Sequence, residues 1–364
     1  MIKHLSFIQD LCGSDKILTH SSFRGVTRNY SIGNFQGYAG HFDKSTIEQL
    51  QKHKDVNLIE TDKIAEPRDV HIERRDIIGT REAEWGLRQI SHRRAEDTGY
   101  YYYDTTAGRG TYGYVVDTGI DTKHGQFIGR ASMGYNALGS CCKPKPFTDT
   151  DGQGTLVAGI IGGQRYGVAR NCNLIAVKVA KDLNVVTSKL LDGYDWAVRD
   201  IIRKRRQSTA AIIISFTIPF SEALNNAVEN AYRQGVTTVV PAGDQATDSS
   251  SMSPASAQGA ITVAASNSAR RPAPFSNYGQ AVDLFAPGVN VRSTFIGRPT
   301  ATATRSGTVF AAAHVAGLVL YFKRLAHLPD ARVTKGHVVG FATPGLIRSP
   351  GRTPNLFAYN GCGR

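Results

Sequence analysis

The segment Thr304 to Leu320, TRSGTVFAAAHVAGLVL, limits the folds open to this chain more than any other. A small-residue turn, Ser306-Gly307-Thr308, runs directly into a long apolar helix. Ala311, Ala312, Ala313, Ala316 and Gly317 leave room for close backbone contact, so this helix belongs inside the protein with other elements packed around it. At its first turn, free backbone N–H groups and the positive end of the dipole favour negative charge. A nucleophile would be well placed there. The residue at that point is Val309, whose isopropyl group has neither a proton to give nor a lone pair to attack with.

What packs around such a helix is written upstream. Short apolar strands are predicted at 111–116 (TYGYVV), 173–179 (NLIAVKV), 211–216 (AIIISF), 236–240 (VTTVV) and 260–264 (AITVA). Helical segments fall between them, near 153–161, 188–204 and 220–234. Apolar strands alternating with helices predict an α/β fold, a parallel sheet covered by helices on both faces. Function in such sheets gathers beyond the carboxyl ends of the strands, where Asp117-Thr-Gly119 is placed.

Residues 1–72 read as a separate, small α+β module. His4 to Leu11 has helical spacing. Tyr30 to Phe42 alternates large apolar with small or polar residues, the pattern of two strands around a turn. Asp43 opens an amphipathic helix through Ile47 and Leu50, and Val56 to Asp62 reads as a closing strand. Residues 73–84 read as a charged linker to the main domain, residues 85–364. The pair Arg74-Arg75 invites a basic-specific processing protease, although such pairs are more often solvated charge.

Taken together, these segments resemble the subtilisin-like serine proteases, in particular the proteinase K-like fungal subtilases. The family pattern S-G-T-S-M-A-x-P-H-V-A-G is matched at Ser306, Gly307, Thr308, Ala311 and His314 to Gly317. Its second Ser falls on Val309, its Met on Phe310 and its Pro on Ala313. The module with YSIGNFQGYAG and VNLIETD is similar to the inhibitory propeptide of that family, whose tail lies in the substrate cleft; here the tail is Lys63 to Val70. On this resemblance, the family's first propeptide strand and its signal peptide are expected to be missing from the chain as written. Trp85 to His92 resembles the mature N-terminus.

The resemblance assigns chemistry residue by residue. Such a protease needs a Ser nucleophile, a His base, an Asp that orients the imidazole, and donors for the oxyanion. Asp117, in YVVDTGID, matches the family Asp. The His motif D-G-x-G-H-G-T-H-x-A-G appears as Asp149 to Gly159, with Gln153 at the catalytic His and Leu156 at the second His. A Gln amide donates and accepts hydrogen bonds but takes no proton near neutral pH, so it is no general base. Asp244 stands at the oxyanion Asn, where an ionised carboxylate repels developing negative charge. Ser215, Phe216, Thr217 and Ile218 replace the Ser-Leu-Gly-Gly wall of the substrate cleft, and Asn184, Val185 and Val186 replace its Gly-Ser-Gly edge. Bulk in place of glycine is expected to weaken peptide docking by strand addition. The family also implies a structural calcium ion held by Asp283 and the carbonyls of Gln258 and Ala260, a hard-oxygen set.

Composition restricts the remaining choices. The formal net charge is +13, with arginine pairs at Arg93-Arg94 and Arg270-Arg271 and a basic cluster from Arg203 to Arg206. No nucleic-acid-binding motif accompanies them, so no nucleic-acid partner is expected. The five cysteines, Cys12, Cys141, Cys142, Cys172 and Cys362, have neither disulfide-framework nor zinc spacing and read as isolated thiols. The start MIKHLSFIQDL lacks a signal peptide's pattern, and no apolar stretch reads as membrane-spanning. As written, the chain reads as soluble and intracellular, whereas the family is usually secreted.

Three functional readings follow. The first is a proteolytically inactive subtilase homologue with a binding or regulatory role, its partners being its own propeptide and a peptide or protease. The second is a recruited enzyme in which Asp117 and Asp244 flank Gln153 in the old cleft and act on a small molecule or peptide. The third is an active serine endopeptidase using other groups nearby, namely Ser306, Thr308 and His314.

Overall fold

The computed structural model describes residues 25–32, 35–59, 76–94, 99–139 and 148–362. The chain divides into two compact units, Met1–Asp69 and Val70–Arg364. The helix expected at His4 to Leu11, the tail Lys63 to Val70, the pair Arg74-Arg75, and Cys12, Cys141 and Cys142 lie outside the described residues.

In the first unit, strands β1 (Gly25–Ile32) and β2 (Phe35–His41) form an antiparallel hairpin with Ile32 opposite Phe35. The hairpin expected within Tyr30 to Phe42 is present and reaches back to Gly25. Asp43 then caps helix α1 (Lys44–Gln51), its Oδ1 accepting the Thr46 N–H at 2.7 Å. The expected closing strand is not formed over residues 56–59, and residues 60–62 lie outside the described set. A strand needs a pairing partner and a covered face, and Leu58 is 74% exposed.

The first described residues of the second unit fall inside the expected linker. Residues Ile77–Arg81 form strand β3, and Tyr100–Asp104 form strand β4; the two pair antiparallel with Gly79 opposite Tyr102. The reading of 73–84 as a plain linker is corrected by this pairing. Charge in 67–84 masks a short β-forming run, and the tyrosine-rich partner lies about twenty residues downstream, beyond the reach of a local pattern. Between them lies helix α2 (Trp85–Ile90).

The main sheet follows. In chain order its elements begin with β5 (Tyr112–Asp117), β6 (Ala131–Asn136), helix α3 (Gln153–Gly162) and β7 (Asn173–Lys178). A small hairpin, β8 (Ala180–Lys181) and β9 (Asn184–Val185), leads into α4 (Thr187–Arg203). Then come β10 (Ala210–Ile214), β11 (Ile218–Pro219), α5 (Glu222–Arg233), β12 (Thr237–Pro241), β13 (Met252–Ser253) and β14 (Ile261–Ser266). The chain closes with β15 (Leu284–Pro287), the hairpin β16 (Val291–Thr294) and β17 (Thr302–Arg305), α6 (Thr308–Leu325), α7 (Ala331–Phe341), β18 (Thr343–Pro344) and β19 (Leu356–Phe357).

Nine strands form one sheet in the order β18-β19-β15-β14-β12-β10-β5-β7-β6, parallel except for the β18–β19 pair. Along β5, Val115 enters one core and Tyr114 and Val116 enter the other. The first core holds α3 and α6, the second α4 and α5. The five sequence-predicted strands correspond to β5, β7, β10, β12 and β14. Edge strand β6 carries an irregular, half-exposed pattern that periodicity does not reveal.

Helix α6 corrects a further expectation, that no apolar stretch reaches membrane-spanning length. It is long and apolar enough to cross a membrane by composition, but 89% of that window is buried within the protein, where neighbouring elements replace lipid as its apolar surroundings. Members of the basic clusters are likewise engaged in the fold. Arg203 and Lys204 donate to Asp200 at 2.5 and 2.9 Å, and the Arg206 guanidinium lies 3.6 Å from the centre of the Tyr112 ring. Cys172 is a buried free thiol, its pKa pushed up to about 12 by burial, and Cys362 Sγ lies 2.8 Å from Tyr321 Oη.

Candidate active site

Asp117 ends β5, Gln153 opens α3, Asp244 follows β12, and Val309 sits in the first turn of α6. All four therefore lie at carboxyl ends of central strands or at amino ends of the two helices packed on one face. Two clusters result.

The first cluster joins Asp117 to Gln153. The amide Nε2 of Gln153 donates to Asp117 Oδ1 at 3.3 Å, and the Thr118 N–H donates to the same oxygen at 2.6 Å. Close approach of α3 to β5 depends on Gly154. A Cβ there would stand 2.1 Å from the Gly119 carbonyl oxygen and 3.1 Å from Asp117 Cβ. The approach is held by Asp149, which accepts Thr118 Oγ1 at 2.8 Å, the Gly152 N–H at 2.9 Å, and the Thr155 N–H and hydroxyl at 2.9 and 2.6 Å. Asp149 stands within the Asp-rich motif, but its part in fixing the helix start was not read from the sequence.

Asp117 is fully buried, and its second oxygen, Oδ2, makes no hydrogen bond among the described residues. Burial pushes its pKa up to about 7; Ser215, the Thr118 N–H and Gln153 oppose that shift, and Asp149 adds to it. Ile214 pairs with Val116, which brings Ser215 beside Asp117 across the β5–β10 ladder. The Ser215 hydroxyl lies near enough to favour the carboxylate without forming an aligned hydrogen bond.

The second cluster gathers Asp244, Gly307, Thr308 and Val309. Asp244 Oδ1 accepts the Thr308 N–H at 2.8 Å, so a carboxylate sits on the amino end of α6. A Cβ on Gly307 would lie 3.1 Å from Asp244 Oδ2 and 3.5 Å from Val309 Cγ1. Asp244 is exposed as a residue, yet its carboxyl end is crowded by the helix start. Loss of water there raises its pKa, against the lowering by Thr308. Val309 is 7% exposed and packs into the core under α6.

The neighbouring hydroxyls and imidazole are committed elsewhere. Thr308 Oγ1 accepts the Gly243 N–H at 3.1 Å, and Ser306 Oγ accepts the Asn290 N–H at 2.9 Å. The buried His314 ring places Nδ1 2.8 Å from the Phe310 carbonyl, to which it donates. Desolvation lowers the pKa of that imidazole to about 4, so it stays neutral.

The two expected cleft walls lie in separate two-stranded ladders. Asn184 and Val185 pair with Lys181 and Ala180 in the β8–β9 hairpin, whose turn residues Asp182 and Leu183 have φ of 55° and 60°. Val186 is exposed and precedes α4. Ile218 pairs with Ser253 in the β11–β13 ladder; Ser215 and Phe216 are buried, and Thr217 is half-buried.

The oxygens assigned to calcium do not fit that ion as they stand. Lys335 Nζ donates to the carbonyls of Gln258 and Ala260 at 2.9 and 2.6 Å and lies 2.9 Å from Asp283 Oδ2. Nothing local in the sequence links Lys335 to Asp283, fifty-two positions earlier. Among the described residues, no group of three or more His, Cys, Asp or Glu side chains converges on a point where a metal would sit.

Comparison with known proteins gives the family of this chain. Residues 108–336 match the subtilase family, and residues 3–67 match peptidase inhibitor I9. Alkaline protease 1 of Aspergillus oryzae is 43% identical over 337 residues, spanning 93% of this chain and 80% of that protein. The alkaline proteinase of Hapsidospora chrysogena is 44% identical over 366 residues, spanning 99% and 88%. A crystal structure of a cold adapted subtilisin-like serine proteinase, 32% identical, superposes with a TM-score of 0.71 over 77% of this chain and 98% of its own. The chain belongs to the subtilase family, carries an inhibitor I9 propeptide domain, and has the subtilisin-like fold.

Proposed function

We propose that this chain is a subtilase that no longer cleaves peptide bonds and acts through binding, as a partner or regulator of a peptide or protease. The observation that carries the reading is Val309. It lies in the first turn of α6, where dipole and N–H groups would serve a nucleophile, and it presents only methyl groups. Gln153 adds to it, holding Asp117 through an amide that takes no proton. In subtilisin, itself a member of this family, removing nucleophile or base costs roughly a million-fold in turnover, and the losses do not add. Removing the oxyanion donor alone costs roughly a hundred- to a thousand-fold there. Asp244 compounds that loss, because it directs negative charge at the helix start.

The test is direct. Purified protein is expected to leave casein and fluorogenic peptides intact and to take no label from a fluorophosphonate. Val309→Ser alone is expected to remain inert, since it lacks a base. The triple variant V309S/Q153H/D244N is expected to regain fluorophosphonate labelling. Casein digestion by the unmodified chain, abolished by phenylmethylsulfonyl fluoride, would refute the proposal.

A further inference from the structure

The loop before β14 and the end of the loop before β15 meet a side chain from a third element. Lys335, on α7, directs its ammonium at Gln258 O, Ala260 O and Asp283 Oδ2 at 2.9, 2.6 and 2.9 Å. A lysine ammonium has three N–H donors and no acceptor. The three oxygens therefore use its full donor capacity. Asp283 Oδ2 also accepts the Thr262 N–H at 2.9 Å, which anchors the carboxylate to the second residue of β14. Glu229 Oε1 accepts the Gly259 N–H at 2.6 Å, so the loop is tied to both α5 and α7. Lys335 and Asp283 side chains are only 23% and 19% exposed. Burial raises the Asp283 pKa, while the Lys335 charge and the Thr262 N–H pull it down.

We propose that the Lys335 ammonium is the resident cation of this loop, standing where the family resemblance assigns calcium, and that this loop is therefore independent of calcium. A calcium ion binds oxygen ligands at about 2.3–2.6 Å. It would need the same three oxygens that the ammonium already holds. Two cations on one carboxylate and two carbonyls repel each other at such distances, so calcium enters only if Lys335 leaves. Departure would strand Asp283 in a half-buried site and release α7 from the entrance to β14. The two cations also differ in kind. Calcium stabilises by mass action and is lost when its concentration falls, whereas a tethered ammonium is present at every calcium level.

The experiment uses the full chain and reads the thermal midpoint in excess EDTA and in millimolar calcium. The unmodified protein is expected to melt at the same temperature in both. Lys335→Ala is expected to melt about 5 °C lower in EDTA and to recover part of that loss with calcium, because the vacated oxygens plus water form a hard-oxygen site. In the double variant K335A/D283N that recovery is expected to vanish. A calcium-induced rise in the unmodified protein that disappears in Asp283→Asn overturns the proposal. So does a Lys335→Ala protein that melts with the unmodified chain in EDTA. If Lys335→Ala does not fold, calorimetric titration of the unmodified chain decides: a saturable calcium site lost in Asp283→Asn refutes the resident ammonium, and its absence supports it.

Discussion

At the scale of single residues, Asp117 shows how a neutral partner changes an acid. A buried carboxylate needs hydrogen bonds or a counter-charge, and a neutral amide gives it only one further donor. With its pKa at about 7, against an ordinary 3.8, Asp117 binds a proton in the folded state over a range where the unfolded chain has released it. Its contribution to stability is fully present below pH 3.8 and is lost as pH rises through about 7. Asp117→Asn is therefore expected to flatten that dependence. At pH 8 the variant should be more stable than the parent by up to about 4 kcal/mol, and at pH 4 the two should converge. Chemical denaturation across that range would measure it. Restoring His at position 153 reverses the sign, since an imidazolium would favour ionised Asp117.

Elements meet at this site through residues with no side chain at all. Helix α3 reaches the end of β5 because Gly154 lets it lie against the Gly119 carbonyl. We expect Gly154→Ala to cost about 1–3 kcal/mol in a urea melt and to pull Gln153 away from Asp117. Gly336 is the contrast. It lies inside α7, exposed, with nothing within 4 Å of an added Cβ. Gly336→Ala is expected to stabilise by about 0.5–1 kcal/mol. The same residue type thus carries opposite signs, and no helical propensity distinguishes the two positions. The Gly-rich segment from Gly152 to Gly159 could be read in the sequence as a helix start. The oxygen that makes Gly154 irreplaceable lies in another element. Likewise the strand at Ile77–Arg81 escaped a linear reading, because its partner is the tyrosine run at Tyr100–Asp104.

For the whole molecule, the proposed loss of nucleophile and base has a covalent consequence. On the proposed reading the chain does not cut itself, and its inhibitor I9 segment is expected to stay joined to the subtilase unit. Intact-mass analysis of protein made in a host without processing proteases is expected to show one polypeptide, and a new N-terminus near Arg81 would contradict that. Such a cut would also sever β3 from the unit that contains its partner strand. The sequence by itself determined the layered α/β plan, because alternating apolar strands and helices fix which surfaces must be buried. It also determined which side-chain types stand at each motif position, since a valine or a glutamine is the same chemistry in any fold. Tertiary structure alone decided how those groups are used: that Asp244 turns to the Thr308 N–H, that Asp117 is sealed from water, and that a lysine from α7 meets Asp283. Each of these depends on distances between segments far apart in the chain, and electrostatic energies follow distance and burial rather than order along the backbone.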